Sequence, residues 1–336
     1  MIDAQKLVDK IRKIHAEIRR QVLVHINAQD VAELSQIAAE TEGDTIYAVD
    51  KVSEEGLLTL FDEELAGDTS FVLIAEGLAE DGVVFPAGID ANEAQYRIIV
   101  DPIDGTRGLM YDKRSAWILT GIAENKGDAT RLGDIFAAVQ TEIPTSKQFR
   151  SDCLWATRGQ GWGAEGYNCL TDEVVPIVLK PSAATSIEHG FAMISRFFPG
   201  GKDVLAAIED ELVEKLIGPV VPGKARLFED QYICSGGQFY ELMVGHDRFN
   251  ADLRPLLDQV LQCRGQALGI CCHPYDVCTA LIAEEMGVAI VGPDGKELDT
   301  PLDTTSPVAW VGYANDTLRT QIEPVLLEVL EKHDMV

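Results

Sequence analysis

Residues 101–106 read Asp101-Pro102-Ile103-Asp104-Gly105-Thr106 and follow the apolar run Ile98-Ile99-Val100. The β-branched residues of this run are typical of a buried strand. Pro102 fixes its own φ and has no backbone N–H, so we expect the strand to end there. The stretch therefore predicts two carboxylates, Asp101 and Asp104, at the end of a buried strand, with backbone N–H groups and a hydroxyl beyond them.

These residue types suit a site for a metal ion and a phosphate group. Carboxylate oxygens bind hard cations such as Mg²⁺, which is usually held by a few carboxylates and by phosphate oxygens of the substrate. Gly105 lets a ligand approach the backbone closely, and the N–H groups after it could hold a phosphate oxygen if a helix starts there. A plain Asp-Pro turn is the structural alternative, because such dipeptides are common in turns.

Two other apolar segments also end in an acidic residue. Residues 45–50 end in Asp50, and residues 70–76 end in Glu76. Neighbouring strands can end at the same edge of a sheet. The repetition therefore predicts that Asp50, Glu76 and Asp101 share one acidic site.

The composition is typical of a globular protein and argues against nucleic-acid and membrane partners. Hydrophobic residues make up 46% of the 336 residues, and the formal net charge is −27. This charge repels nucleic acid and anionic membrane surfaces. No apolar run reaches the roughly 20 residues that span a bilayer. The N-terminal residues have no signal-peptide core, so we expect a cytoplasmic protein.

Two further features favour a structural interpretation. The seven cysteines are odd in number and irregularly spaced, which predicts reduced thiols and argues against both a disulfide framework and a zinc site. Residues 161–166 match the spacing of a dinucleotide fingerprint, but they lack the strand before it and the helix after it. We therefore predict a glycine-rich hairpin there, and a dinucleotide-binding oxidoreductase is the less favoured alternative.

The periodicity predicts a strand-rich half followed by a half with alternating helices. An amphipathic helix is expected over about the first 27 residues. Strands are expected at 116–123, 135–139, 154–157 and 176–179. The pattern changes near residue 180, and helices are predicted at 203–216, 239–244, 252–263 and 277–286, the last with Asp276 as its N-cap.

Residues 273–288 contain a second signature. They read His-Pro-Tyr-Asp-Val-Cys-Thr-Ala-Leu-Ile-Ala-Glu-Glu-Met-Gly-Val. Together with residues 101–106 they resemble the inositol monophosphatase family of Mg²⁺-dependent, lithium-sensitive phosphatases. That superfamily also includes fructose-1,6-bisphosphatase and 3′(2′),5′-bisphosphate nucleotidase. Its second motif is Trp-Asp-x-Ala-Ala-Gly, in which Tyr275 replaces the tryptophan and Asp276 is in register. With Asp50 and Glu76, the resemblance spans residues 45–290.

The resemblance implies a layered αβαβα sandwich of the α+β or α/β class, the inositol monophosphatase or sugar phosphatase-like fold. Residues 1–180 would form an N-terminal α+β half with the antiparallel sheet and the metal-binding motif. Residues 181–336 would form a C-terminal α/β half that supplies the last metal-ligand aspartate. A homodimer is also expected, because dimers are common in the family.

The resemblance also implies the ligands of a site for about two or three Mg²⁺ ions. Glu76, Asp101 and the backbone carbonyl of Ile103 would hold one ion. Asp101 would bridge to a second ion, which Asp104 and Asp276 would complete.

The implied catalytic residues are Asp50, Thr106 and Glu76. Thr106, hydrogen-bonded to Asp50, would orient the attacking water and help to deprotonate it. The backbone N–H groups of Gly105 and Thr106 would hold the phosphate.

The implied function is a Mg²⁺-dependent phosphomonoesterase that hydrolyses a small phosphate ester, an inositol or sugar phosphate, with a metal-activated water. The alternative is a 3′(2′),5′-bisphosphate nucleotidase. Arg107-Gly108-Leu109 is closer to the Lys-Gly-Phe of those enzymes than to the Thr-Asn-Phe of inositol phosphatases, so Arg107 is a candidate specificity residue. Gly77 replaces a family glutamate, and residues 253–272 look inserted or rearranged. A non-catalytic protein of the same fold is a further alternative.

Overall fold

The computed structural model describes residues 3–28, 37–40, 45–47 and 56–335. An eight-stranded sheet has the strand order β10-β9-β8-β7-β6-β5-β3-β4. All neighbours in it are antiparallel except β3 and β5, which are parallel. Its strands are β3 (Phe71–Ala75), β4 (Val83–Phe85), β5 (Tyr96–Asp104), β6 (Ala116–Glu124), β7 (Ile135–Ile143), β8 (Arg150–Thr157), β9 (Gly161–Asn168) and β10 (Val174–Pro176). A separate antiparallel pair consists of β1 (Ile37–Glu40) and β2 (Thr45–Tyr47).

One face of the large sheet is covered by α1 (Ala4–Ala28) and by α2, which spans residues 56–61 and continues as a π-helical turn at Asp62–Ala66. The residues of α1 that recur every three or four positions are buried against this face, as the sequence pattern predicts. Strand residues alternate between the two faces. Ile98 and Val100 belong to the core under α1, whereas Ile99 belongs to the core on the opposite side.

The second sheet has four strands in the order β11-β12-β14-β13. These are β11 (Phe191–Ile194), β12 (Asp247–Asp252), β13 (Ala289–Val291) and β14 (Trp310–Tyr313). Helices α5 (Ser235–Met243) and α8 (Ala280–Glu285) lie between the two sheets, and α4 (Lys202–Ile217) and α9 (Asp316–Lys332) cover the outer face of the smaller sheet. The layers therefore follow the order αβαβα, and the predicted sandwich is confirmed.

Shorter helices complete the described chain. They are α3 (Thr106–Met110), α6 (Asp258–Cys263), α7 (Pro274–Val277) and the 3₁₀ turns Ala91–Glu93, Leu132–Asp134 and Arg254–Leu257. The glycine-rich segment forms β9 and pairs antiparallel with β8, so the predicted hairpin is confirmed. Within the described ranges, no helix combines the length and the hydropathy that a membrane span requires.

The structure corrects the prediction that the central strand ends at Pro102. Strand β5 continues to Asp104, because a bulge accommodates the proline. Asp101 pairs with Leu119 and Asp104 pairs with Trp117, so β5 carries one more residue than β6 between the two pairs. The bulge keeps both carboxylates at the end of a paired strand, where the missing N–H of a proline is tolerated.

Further predictions were wrong in their bounds, and one of them is the helix predicted at 239–244, because α5 already begins at Ser235. The helix predicted at 252–263 is the end of β12, a 3₁₀ turn and α6, because Asp252 pairs with Trp310 in the smaller sheet. The helix predicted at 277–286 begins earlier, at Pro274, and is interrupted between α7 and α8. Asp276 is therefore the third residue of α7 and not its N-cap, which is His273. The strand predicted at 176–179 is found at Val174–Pro176.

Candidate metal centre

Three of the predicted site residues come together at one end of the large sheet. Asp101 and Asp104 lie on the bulged end of β5, and Asp276 lies on α7, which contacts β5 and β6. One carboxylate oxygen from each of the three residues lies within 4.8 Å of the others. This spacing would allow the three oxygens to bind the same cation. We call Asp101, Asp104 and Asp276 the acidic cluster.

The acidic cluster is buried and strongly repulsive. Asp101 is 1% exposed and Asp104 is 6% exposed. Burial raises the pKa of Asp101 well above its usual range, and the negative charges of Glu76, Asp104 and Asp276 raise it further. Burial also raises the pKa of Asp276, with repulsion from Asp104 as the next cause. Burial raises the pKa of Asp104 to about 6, although hydrogen bonds to this residue oppose the rise. A bound cation would relieve this repulsion, so the donor set fits a metal ion.

Each carboxylate of the acidic cluster is oriented by a backbone N–H group. The donors are Ile103 to Asp101 (2.9 Å), Gly236 to Asp104 (2.6 Å) and His273 to Asp276 (2.6 Å). These bonds come from the bulge of β5, the first turn of α5 and the residue before α7. The side chains are thus held by three separate elements before any ligand binds.

Glu76 lies beside the acidic cluster, directly after β3. Strand β3 is the parallel neighbour of β5, and the Glu76 N–H donates to the Val100 carbonyl at 3.3 Å. After burial, the charge of Glu76 is the largest cause of the raised pKa of Asp101, although Glu76 is not one of the three residues whose oxygens lie within 4.8 Å of one another. The sheet therefore brings the ends of two predicted strands to one edge, as the repeated acids suggested.

The residues after the bulge adopt the predicted turn into a helix. Gly105 has φ 95°, a left-handed conformation that glycine adopts without strain, and it precedes α3. The Thr106 hydroxyl donates to the Ile103 carbonyl at 2.8 Å. A carbonyl oxygen has two lone pairs, so this oxygen can still accept a metal. Asp50 lies outside the described residues, and its hydrogen bond to Thr106 stays a prediction.

Arg107 lies next to Phe198, which is also in contact with Arg254, and neither residue was predicted as part of the site. Its guanidinium carbon lies 5.3 Å from the ring centroid of Phe198, and the guanidinium carbon of Arg254 lies 5.2 Å from the same centroid. Arg254 is buried and donates from Nε to both carboxylate oxygens of Asp252, at 2.9 and 3.1 Å. Residues 253–272, which look inserted or rearranged in the sequence, therefore contain near their start an arginine that is held next to the smaller sheet.

The N-terminal end of α5 was also missed as part of the site. Besides the Gly236 bond, the Cys234 thiol lies 3.2 Å from the backbone carbonyl oxygen of Asp104 and can donate to it. The small residues at 235–237, which form the first turn of α5 and precede the helix predicted at 239–244, were a local signal for close approach to another element. The thiols of all seven cysteines are free.

Comparison with known proteins identifies the fold. No family model matches the chain, and no curated protein matches its sequence. Solved structures match over nearly the whole chain, and three of them illustrate the likeness. Fructose-1,6-bisphosphatase from Leishmania major is 16% identical, with a TM-score of 0.65, and the match covers 97% of this chain and 94% of that one.

The extragenic suppressor protein suhB from Bartonella henselae is 16% identical, with a TM-score of 0.62 and coverages of 95% and 98%. The IMPase from Thermotoga maritima is 14% identical, with a TM-score of 0.59 and coverages of 97% and 99%. At these identities the likeness concerns the fold. The chain has the fold shared by inositol monophosphatases and fructose-1,6-bisphosphatases.

Proposed function

We propose that this protein is a Mg²⁺-dependent phosphomonoesterase that hydrolyses a small phosphorylated metabolite. The observation that carries the proposal is the acidic cluster, in which three buried aspartates bring oxygens within 4.8 Å of one another. Buried carboxylates at this distance destabilise a protein unless a cation or protons neutralise them. A fold shared with phosphatases of known structure adds independent support.

The residues that would hold the metal are Asp101, Asp104 and Asp276, joined by Glu76 and the Ile103 carbonyl. Two or more Mg²⁺ ions bound by such a set supply positive charge to phosphate oxygens and lower the pKa of a bound water. This charge matters here because the protein carries a formal net charge of −27 and would otherwise repel an anionic substrate.

The protein's own groups would then bind and orient the substrate. We propose that the backbone N–H groups of Gly105 and Thr106 hold phosphate oxygens at the start of α3. In the same proposal, Thr106 and Asp50 orient the attacking water and accept its proton. The hydrogen bond from Thr106 Oγ1 to the Ile103 carbonyl already holds the hydroxyl next to a proposed metal ligand.

The substrate class is proposed as an inositol or sugar phosphate, with a 3′(2′),5′-bisphosphate nucleotide as the second candidate. Arg107 favours the second candidate, because it directly follows Thr106 and can offer positive charge to a second phosphate, whereas the charge of Arg254 on the other side of Phe198 is paired with Asp252. Arg107 is the proposed specificity residue, since it directly follows Thr106. We propose no nucleic-acid or membrane partner, a cytoplasmic location and a homodimer.

Phosphate release from three substrates tests the proposal. The substrates are myo-inositol 1-phosphate, fructose 1,6-bisphosphate and 3′-phosphoadenosine 5′-phosphate, each with and without Mg²⁺. Asp101→Asn should abolish Mg²⁺-dependent turnover. Asp247→Asn is the matched control, because Asp247 is another buried aspartate whose pKa burial raises to about 6 but which lies outside the acidic cluster.

The outcomes separate the candidates. Turnover that needs Mg²⁺ and is lost only in Asp101→Asn supports the proposed site, and the preferred substrate identifies the class. If Arg107→Gln weakens turnover of the bisphosphate nucleotide alone, Arg107 recognises its second phosphate. Turnover without Mg²⁺, or equal turnover in both aspartate variants, would contradict the metal-dependent mechanism. An absence of turnover with bound Mg²⁺ would favour a non-catalytic protein.

A further inference from the structure

A buried chain of hydrogen bonds connects the two elements that supply the acidic cluster. Asp104 Oδ2 accepts from the Gly236 N–H at 2.6 Å, and the Gly236 carbonyl accepts from Gln140 Nε2 at 2.7 Å. Gln140 Oε1 in turn accepts from the Thr279 hydroxyl at 2.9 Å. Thr279 follows Asp276 by three residues, one turn further along the chain. We call this chain of hydrogen bonds, from Asp104 through Gly236 and Gln140 to Thr279, the relay. It ends on the turn that directly follows α7, the helix of Asp276, and we call that turn the Asp276 turn.

The position of Gln140 on the sheet explains why it can reach both sides. Gln140 pairs with Leu119 on β6, and Leu119 pairs with Asp101 on β5. Paired residues on neighbouring strands point to the same face of a sheet. Gln140 therefore projects from the same face as Asp101, two strands away. Both α5 and the turn between α7 and α8 lie over that face.

The Gln140 and Thr279 side chains of the relay are fully enclosed. Gln140 and Thr279 are both 0% exposed. The amide of Gln140 has only one orientation that fits, because Nε2 faces a carbonyl and Oε1 faces a hydroxyl donor. Breaking either bond would leave a buried polar group without its partner, which costs far more than an exposed bond. The relay is therefore a rigid link between α5 and the Asp276 turn.

We infer that Gln140 and Thr279 are positioning residues that fix the separation of Asp104 and Asp276 and thereby set the cation affinity of the acidic cluster. The inference rests on the proposed function, since it assigns a role in the same site. Two carboxylates that repel each other need an external restraint to stay at metal-binding distance. Partners that orient metal ligands from behind affect affinity strongly even though they do not touch the ion.

The chain contains a matched control for a buried hydroxyl that donates to a buried glutamine. Ser195 Oγ donates to Gln238 Oε1 at 3.3 Å, and Gln238 Nε2 donates to the Tyr232 carbonyl at 2.7 Å. Ser195 and Gln238 are as buried as the relay residues. Ser195 directly follows β11 in the smaller sheet. The two hydrogen bonds of Gln238 connect Ser195 to the Tyr232 carbonyl and include no aspartate of the acidic cluster. Loss of the hydroxyl at Ser195 or at Thr279 should lower stability to a similar degree.

Titration calorimetry with Mn²⁺ tests the inference on the full chain. Mn²⁺ takes carboxylate and carbonyl oxygens as Mg²⁺ does. Thr279→Val, which replaces only the hydroxyl, should weaken Mn²⁺ binding about tenfold, in the range found for other orienting partners. Thr279→Ser, which keeps the hydroxyl, should retain wild-type affinity. Ser195→Ala should lower the urea midpoint as Thr279→Val does, but leave the Mn²⁺ affinity within about twofold.

The inference is overturned if Thr279→Val and Ser195→Ala bind Mn²⁺ equally well. Gln140→Met provides a second variant of similar shape that removes both bonds, and it decides the question if Thr279→Val does not fold. Equal Mn²⁺ affinity in the wild type and in these variants would contradict the positioning role and leave the proposed metal site intact. If the wild type binds no Mn²⁺, the proposed function and this inference both fail.

Discussion

Asp104→Asn should make the metal-free protein more stable, although it removes a proposed ligand. Burial raises the pKa of Asp104 from 3.8 to about 6. Each tenfold change in proton affinity corresponds to about 1.4 kcal/mol, so the ionised side chain lowers the free energy of unfolding by about 3 kcal/mol at neutral pH. Asparagine removes the charge and keeps an oxygen that can accept from the Gly236 N–H. We expect the variant to gain most of that free energy.

The stabilisation of the metal-free protein by Asp104→Asn should depend on pH. An acid whose pKa is higher in the folded state binds protons more tightly there, so its unfavourable contribution is complete above about pH 6 and disappears as the pH falls below 3.8. Urea unfolding in EDTA should therefore show a large advantage of Asp104→Asn near pH 8 and little advantage near pH 4. With Mg²⁺ added, the wild type should gain stability and the variant should gain much less.

The reasoning is refuted if metal-free Asp104→Asn is less stable than the wild type near pH 8. It is also refuted if Mg²⁺ stabilises both proteins equally, because the ion would then bind without this carboxylate. Asp247→Asn serves as the control, since it removes a charge of similar burial and similarly raised pKa but should leave the response to Mg²⁺ unchanged.

Two other predictions concern the framework around the site. Burial lowers the pKa of His15, which lies between the hydroxyls of Thr120 and Thr141, to about 3 from 6.5. As the pH falls, His15 therefore binds a proton in the unfolded chain before it does so in the folded protein, and the free energy of unfolding should fall by about 2 kcal/mol between pH 6.5 and pH 4.5. His15→Gln should remove that decrease in urea titrations, and an unchanged pH dependence would contradict the assignment. Arg254→Met should cost about 3–5 kcal/mol, because it leaves the buried Asp252 carboxylate without its partner. Adding Asp252→Asn should restore most of that loss in urea unfolding, and a single variant as stable as the wild type would show that the ion pair is dispensable.

The layers of the fold and the acidic residues of the site follow from local patterns. The apolar spacing in α1 and the β-branched run before Asp101 depend on neighbours within a few positions, and both predicted elements are present. The first signature also places Asp101 and Asp104 correctly at a strand end. Asp276 is near them, which its local sequence alone, an aspartate close to a helix start, did not require.

The rest depends on contacts between distant segments. The bulge at Pro102 is set by the pairing of β5 with β6, which a proline rule for isolated strands does not include. His273, and not the predicted Asp276, is the N-cap of α7, because the helix starts at Pro274 and proline is favoured at the first position of a helix. The bond between Thr279 and Gln140 joins residues 139 positions apart. No local pattern specifies which buried hydroxyl meets which amide.

Gly121 on β6 shows how little space lies beneath the Asp276 turn. A Cβ built on Gly121 would lie 2.9 Å from the Cys278 carbonyl oxygen and 2.7 Å from Ile135 Cδ1. The backbone of the turn thus rests directly on the sheet. A single methyl group at this position would overlap with these atoms and push the turn away from β5. The absence of a side chain at residue 121 is thus what lets Cys278, and with it the turn after Asp276, sit against the strand next to β5.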